Sequence, residues 1–306
     1  MKHVSVLLNE CIEYLNIQSD SIIVDCTLGL AGHSSEILKR IPNGKLYAFD
    51  QDEMAIAASR KKLSEIASNF EIIESNFVHL KKELNQRGIT SVHGILFDLG
   101  VSSPQLDEGD RGFSFHQDAR LDMRMNQHQA LSAYEVVNEY SYSQLVHIFK
   151  VYGEEKFAAG IARRIEQERK EKPIETTLEL VEVIKKAVPE KYKREKHPAR
   201  KVFQAIRIEV NDELHVCEQA ITDALDLLEV GGRCLVITFH SLEDRICKHI
   251  FKKASSLPKE LKNMPIVPEE YQPKYKIIGT YVPTEKELEE NHRSRSATLR
   301  VIERIR

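Results

Sequence analysis

The chain has 306 residues, 42% of them hydrophobic and 30% charged, a composition that excludes a disordered, collagenous or coiled-coil protein and leaves material for about two domains. Lys plus Arg number 44 against 47 Asp plus Glu, a formal net charge of −3, so the chain is not globally basic and a polyanion would have to be met by a local patch. The five cysteines are scattered without disulfide or metal-ligand spacing and no apolar run approaches the roughly 18 residues that span a bilayer, so a protein of the reducing cytoplasm is expected.

Residues 21–25, Ser-Ile-Ile-Val-Asp, are a short apolar run ending on an acid, followed by Gly29, Gly32 and Ser34-Ser35; this predicts strand, glycine loop, helix. After the turn Pro42-Asn43-Gly44, residues 45–49 predict a second strand ending at Asp50, and residues 54–66 a helix. Residues 70–73 and 92–97 predict two more strands, running out into Asn76-Phe77 and Asp98 respectively. Strands separated by helices pair in parallel, so the first hundred residues predict half of a doubly wound α/β sheet. Residues 101–127, rich in Ser, Asp, Gly and Arg, are too long for an ordinary connection and read as a functional loop.

Residues 128–195 predict helices, with Leu145, Ile148, Phe149, Ile161 and Ile165 near helical spacing. The α/β grammar returns near Pro198, with one long helix carrying Val202 to Leu228 and a turn at Gly231-Gly232. A strand over 233–239 follows, then His240-Ser241 and a helix over 242–254. Two last strands, 275–281 and 297–302, flank an acidic stretch at 285–290 read as a solvated loop or helix. The predicted organisation is one sheet domain, 1–105 and 199–306, interrupted by a long loop and helical insert over 106–198.

Open parallel sheets bind ligands beyond the carboxyl ends of their strands. Asp25, Gly29, Gly32, His33, Asp50, Phe77, Asp98 and His240 all fall there. Asp50 follows Gly32 by 18 residues at the end of the second strand, where an acid can accept two ribose hydroxyls. A dinucleotide needs G-x-G-x-x-G to cradle its pyrophosphate. The glycines here read G-x-x-G-H, so that cradle is incomplete. A nucleoside without phosphates, such as S-adenosylmethionine, needs the loop, the ribose acid, an apolar wall such as Phe77 and an acceptor such as Asp98. That reading uses more of the residues, although Gly29 and Gly32 could also serve only a tight turn. No metal site is expected, since His197 and His215 have no ligand partners at useful spacing.

Ten ordered blocks carry a family resemblance: Ser5-Val-Leu-Leu-Asn-Glu10, Asp25-x-Thr-x-Gly-x-x-Gly-His33, Phe97-Asp-Leu-Gly-Val-Ser-Ser-Pro-Gln105, Arg111-Gly-Phe-Ser-Phe115, Leu121-Asp-Met-Arg-Met125, Tyr152-Gly-Glu-Glu155, His197-Pro-Ala-Arg200, Phe203-Gln-Ala-x-Arg-Ile208, Phe239-His-Ser-Leu-Glu-Asp-Arg245 and Arg293-Ser-Arg-Ser-Ala297. Together they resemble the bacterial RsmH (MraW) family of S-adenosylmethionine-dependent methyltransferases. The resemblance implies a Rossmann-like class I methyltransferase sheet with an inserted, mainly helical domain. It also implies transfer to the exocyclic N4 of a cytidine in the decoding region of 16S ribosomal RNA, within the small ribosomal subunit. Ala31, Gly32, His33, Asp50, Phe77, Asp98 and Gln105 would hold the cofactor. Many members have Gly where this chain has Ala31, a change that fits if the local φ is negative.

Cytosine N4 is a weak nucleophile, so the protein must aim the amine at the methyl and accept its protons. Asp98 or a nearby backbone carbonyl is the expected acceptor, with Ser102 and Ser103 adjacent and His240 on the same edge. Phe113 or Phe115 would stack on the base, or else anchor the loop. Residues 191–207 carry a net charge of +6 and residues 292–306 a net of +4; both suit a phosphate footprint or a solvated face. Arg111, Arg120 and Arg124, with Arg200 and Lys201, are the expected RNA contacts. A small-molecule methyltransferase would need neither cluster, and a silent RNA- or membrane-associated binding protein would not need Gly32, Asp50 and Asp98 together. A nicotinamide dehydrogenase lacks its third glycine.

Overall fold

The structure, a computed structural model, describes residues 5–100, 109–195, 197–258, 261 and 267–306. Among the described residues seven strands form one sheet: β1 (Ile22–Asp25), β2 (Lys45–Asp50), β3 (Phe70–Glu74), β4 (Val92–Asp98), β5 (Leu228–Thr238), β6 (Tyr275–Tyr281) and β7 (Thr298–Arg304). Their order is β3-β2-β1-β4-β5-β7-β6. The first five run parallel, and β7 inserts antiparallel between β5 and β6. The order reverses direction between β1 and β4, which puts the ligand crevice at the tips of these two strands. This is the expected Rossmann-like sheet.

Both faces of the sheet are covered, which explains why its strands read as continuous apolar runs. Ile23, Leu46, Ala48 and Leu96 point to one side, against α1 (Leu8–Tyr14), α2 (Gly32–Leu38) and α3 (Glu53–Ser64). Val24, Tyr47, Phe49 and Phe97 point to the other, against α4 (Leu80–Gln86), α11 (Glu213–Leu227) and α12 (Ser241–Ala254). All five cysteines are buried free thiols within these layers. Burial raises the thiols of Cys11, Cys26, Cys234 and Cys247 well above their usual range, so they behave as small apolar side chains. Among the described residues no helix is long and apolar enough to cross a membrane.

The chain divides into two compact units, residues 1–100 with 214–306, and residues 101–213. The second is helical: α5 (Ala133–Glu139), α6 (Tyr142–Val151), α7 (Ala158–Glu171), α8 (Thr177–Ala187), α9 (Glu190–Glu195) and α10 (Arg200–Asn211). Three of these start on capping boxes readable in the sequence, Ser132 with Glu135, Ser141 with Gln144 and Thr176 with Glu179.

The structure departs from the sequence expectation in three places. The single long helix is two, because Asp212 adopts a left-handed φ of 49° and ends α10. Val202, Phe203 and Ile206 of α10 pack into the core of the helical unit, so the chain returns to the sheet unit at residue 214 rather than 199. Finally, β5 begins at Leu228, not Arg233. The glycines expected to make a turn lie inside this strand at a register irregularity, where Gly231 takes φ +87°.

The arginine-rich loop that opens the helical unit is tied to itself. The Arg111 Nη2 donates to the carbonyls of Arg124 (2.8 Å) and Met125 (3.3 Å), and its guanidinium lies 5.9 Å from the Phe113 ring. Arg124 grips both oxygens of Asp122 and also donates to the Gln129 carbonyl. Gly112 sits at φ +73°, where an added Cβ would stand 2.4 Å from the Arg120 carbonyl. Arg111→Ala is therefore expected to cost the fold about 2 kcal/mol through carbonyls left without their charged donor. Chemical denaturation will read it as a lower midpoint at unchanged slope. A wild-type midpoint would contradict this role.

Candidate active site

The four acids at the strand tips look alike in sequence and differ in what they hold. Asp25, at the end of β1, is 1% exposed. Its oxygens accept from the Ser34 hydroxyl (2.6 Å) and the Thr27 amide (3.0 Å). That carboxylate is spent on fixing the loop from β1 to α2. Glu74, at the end of β3, is exposed. Asp50 and Asp98, at the ends of β2 and β4, are each partly exposed.

The loop over 27–32 is the candidate cofactor cradle. Leu28 N donates to the Phe49 carbonyl and Ala31 N to the Leu28 carbonyl, which folds the backbone tightly enough to need a positive φ at Gly29 (48°). Ala31 also takes a positive φ, 53°. The condition under which the alanine would fit without strain is therefore not met, and an alanine there carries a strain of about 1 kcal/mol. Two side chains on α3 hold the strained segment from behind: Ser59 Oγ donates to the Gly29 carbonyl (2.7 Å), and Lys62 Nζ to those of Leu30 (3.0 Å) and Ala31 (3.2 Å). Gly32 leaves no space for a side chain, since a Cβ would fall 1.7 Å from Ser5 Oγ.

Asp50 accepts three backbone N–H groups, from Gly29 (2.9 Å) at Oδ2 and from Gln51 (2.8 Å) and Asp52 (3.0 Å) at Oδ1. Burial pushes its carboxyl up to about 6 despite these donors. Phe77 begins a 3-10 turn capped by the Asn76 side chain and packs edge-on to Phe97, 5.7 Å between centroids. It stands beyond the tip of β3, next along the sheet from Asp50.

Asp98 ends β4, with its amide donating to Thr27 Oγ1 (2.7 Å). Its Oδ1 is buried and has no hydrogen-bond partner among the described residues. Its Oδ2 lies 3.8 Å from His33 Nδ1, and a quarter of the side chain remains exposed. His33 is fixed by a hydrogen bond between Nε2 and the Val6 carbonyl (3.0 Å); a carbonyl only accepts, so Nε2 is the donor. Burial, followed by the nearby charges of Asp25 and Glu243, pushes the Asp98 carboxyl up to about 8.

His240 caps α12, its Nδ1 accepting from Glu243 N (3.5 Å). Its Nε2 stands 3.1 Å from Glu243 Oε1. Glu243 is 2% exposed and accepts from Phe239 N (3.0 Å). Ser102, Ser103 and Gln105 lie outside the described residues.

In the helical unit, Phe113 is buried, and Phe115 stacks on His197 (4.5 Å, 21°) and edge-on to Phe203. The structure thus places both rings within the unit's own packing. Arg120 and Arg200 are exposed, whereas Lys201 Nζ donates to the Glu154 carbonyl (2.5 Å).

Sequence reasoning missed Thr27, Ser59 and Lys62 as supports of the cradle. The visible signal was a Ser and a Lys three residues apart on an otherwise apolar helix face. It also missed the segment over 5–7, whose Val6 carbonyl holds His33 and whose Leu7 amide donates to Glu287 (2.8 Å).

An acid whose folded-state carboxyl is raised stabilises the fold below its unfolded range, near 4, and that contribution is lost as pH rises to the folded value. For Asp98 the window is from about 4 to about 8. Asp98→Asn should therefore gain stability over wild type across this window, by roughly 2–4 kcal/mol at its upper end. Thermal melts at pH 5 and pH 9 will show it. A difference between the two proteins that does not change with pH would contradict the assignment.

A model of the MraW methylase family matches residues 1–305. The chain is 56% identical over 308 residues to the ribosomal RNA small subunit methyltransferase H of Exiguobacterium sibiricum, covering 100% of this chain and 99% of that one. Among solved structures, an rRNA methylase from Streptococcus thermophilus aligns at TM-score 0.43 and 14% identity, over 98% of this chain and 94% of that one. TrmN from Thermus thermophilus aligns at TM-score 0.43 and 13% identity, over 97% and 48%. On the family match across its length and the close relative, this chain belongs to the MraW methylase family.

Proposed function

We propose that this protein transfers a methyl group from S-adenosylmethionine to the exocyclic N4 of a cytidine in the decoding region of 16S ribosomal RNA, within the small ribosomal subunit. The observation that carries this reading is the pair of acids at one sheet edge, Asp50 against the glycine loop and Asp98 with a buried oxygen that has no partner among the described residues, in a chain of this family. The relative named for ribosomal RNA small subunit methylation supports the substrate.

The residues present suit a nucleoside carrying a positive charge. Asp50 is positioned to tether the ribose, Phe77 to wall the adenine, and the backbone of residues 29–33 to line the remainder. Bound there, the cofactor supplies an electrophilic methyl group on a sulfonium, released as the C–S bond breaks. The protein then has to aim the amine and receive its proton. Asp98 is the acceptor we assign, because a carboxylate with an open lone pair in a poorly solvated site binds an N–H strongly as the nitrogen becomes positive.

A duplex hides this amine, so the substrate is a cytidine splayed out of its stack. Arg120 and Arg200 are the arginines we assign to phosphate contacts. Arg111 and Arg124 serve the fold of the loop that presents them, and Lys201 braces the Glu154 turn. Purified protein given methyl-labelled cofactor and small ribosomal subunits from a strain without this protein should label one cytidine, recovered as its N4-methyl nucleoside after digestion. Label on another base, or none on subunits and RNA alike, would overturn the reading.

A further inference from the structure

Asp98 sits in an unusual electrostatic position for a group awaiting a cation. Its Oδ1 is sealed without a donor among the described residues. Among the described residues, the ionisable groups around it are the carboxyls of Asp25 at the end of β1 and Glu243 on α12, the Cys11 thiol on α1, which burial keeps protonated, and His33 on α2. Its Nε2 proton is committed to the Val6 carbonyl, and its Nδ1 stands 3.8 Å from Oδ2, beyond direct hydrogen-bond length. None of these neighbours neutralises a carboxylate at Oδ1. Asp25 is held in place beside it by the Ser34 hydroxyl and the Thr27 amide.

We propose that Asp98 is a neutral carboxylic acid in the empty site and gives up its proton when the cationic methyl donor enters, so that cofactor loading and proton release are a single event. The proton passes to solvent through the exposed quarter of the side chain, and the carboxylate that remains faces the sulfonium and then the incoming amine. His33 is the positioning group: anchored on Val6, it keeps Asp98 directed at the crevice. Burial and the two neighbouring carboxylates favour the neutral acid. The arrangement has a functional consequence. Asp98 of an empty enzyme is not a base, so this acceptor for the amine exists only once a methyl group is available to be transferred.

The inference rests on the proposed methyl-donor pocket, and its test separates the two. Calorimetric titration of the protein with S-adenosylmethionine at pH 7, in two buffers of different ionisation enthalpy, counts protons released on binding. The count should be close to one for S-adenosylmethionine and clearly smaller for S-adenosylhomocysteine, which lacks the sulfonium charge. Between pH 6.5 and 8 the affinity for S-adenosylmethionine should rise by about tenfold per pH unit and then level off. Asp98→Asn should bind with no release and no such slope. His33→Gln, which keeps a donor for the Val6 carbonyl, should retain release with altered affinity. Tight binding of S-adenosylmethionine without proton release overturns this inference and leaves the pocket intact, whereas absence of any binding by a folded protein overturns the pocket itself.

Discussion

Replacing Asp50 with Ala is expected to raise the dissociation constant for S-adenosylmethionine at least a hundredfold while leaving a folded protein. Two causes add. A carboxylate holding two ribose hydroxyls contributes about 1.5–3 kcal/mol per charged hydrogen bond, and each 1.4 kcal/mol is a factor of ten in affinity. The same carboxylate accepts the amides of Gly29, Gln51 and Asp52, so its removal also loosens the cradle whose left-handed residues need support. Asp50→Asn is not a mild substitution here. Both Asp50 oxygens already face N–H donors, and an NH2 in place of either would oppose one. The pH dependence follows the same logic. With the carboxyl raised to about 6, cofactor affinity should fall as pH drops below that value and the acid protonates. Calorimetry on both variants, with thermal melts to confirm folding, gives the answer; affinity within threefold of wild type for Asp50→Ala would remove the ribose assignment.

The second large effect belongs to the transfer step. Asp98→Ala should lower kcat for methylation of the small subunit by a factor of about 10²–10⁴, the range for a well-placed proton acceptor. Affinity for S-adenosylhomocysteine should change much less, because that ligand brings no sulfonium to be balanced. The split between kcat and product affinity distinguishes an acceptor from a residue that only shapes the pocket: a merely structural Asp98 would weaken both together. Single-turnover measurements on preloaded enzyme are the appropriate readout, since they exclude slow product release.

The sheet was legible because its signals are local. Each of the first four strands ends in an acid, and the glycine loop follows β1 at once, so element order could be read directly. What each acid does could not. Asp25, Asp50 and Asp98 occupy equivalent positions in the grammar, yet Asp25 is consumed by Ser34 and Thr27, and only three-dimensional partners reveal that. Arg111 and Arg124 illustrate the same limit. Their charge suggested phosphate contacts, but their guanidinium groups point back at carbonyls of their own loop, and the only sequence trace is Asp122 placed two residues before Arg124. The positive φ of Ala31 was not legible because alanine rarely accepts one, and the Ser59 and Lys62 braces around it come from the next helix. The apolar stripe of α10 was visible from its spacing, whereas the core it joins depends on which unit surrounds it.

The most direct test of the central claim is mass mapping of methylated nucleosides in 16S ribosomal RNA from cells lacking this protein. The account predicts that one N4-methylated cytidine disappears, returns with the wild-type chain and does not return with Asp50→Ala. An unchanged cytidine profile in the deletion strain, or full restoration by Asp50→Ala, would contradict it.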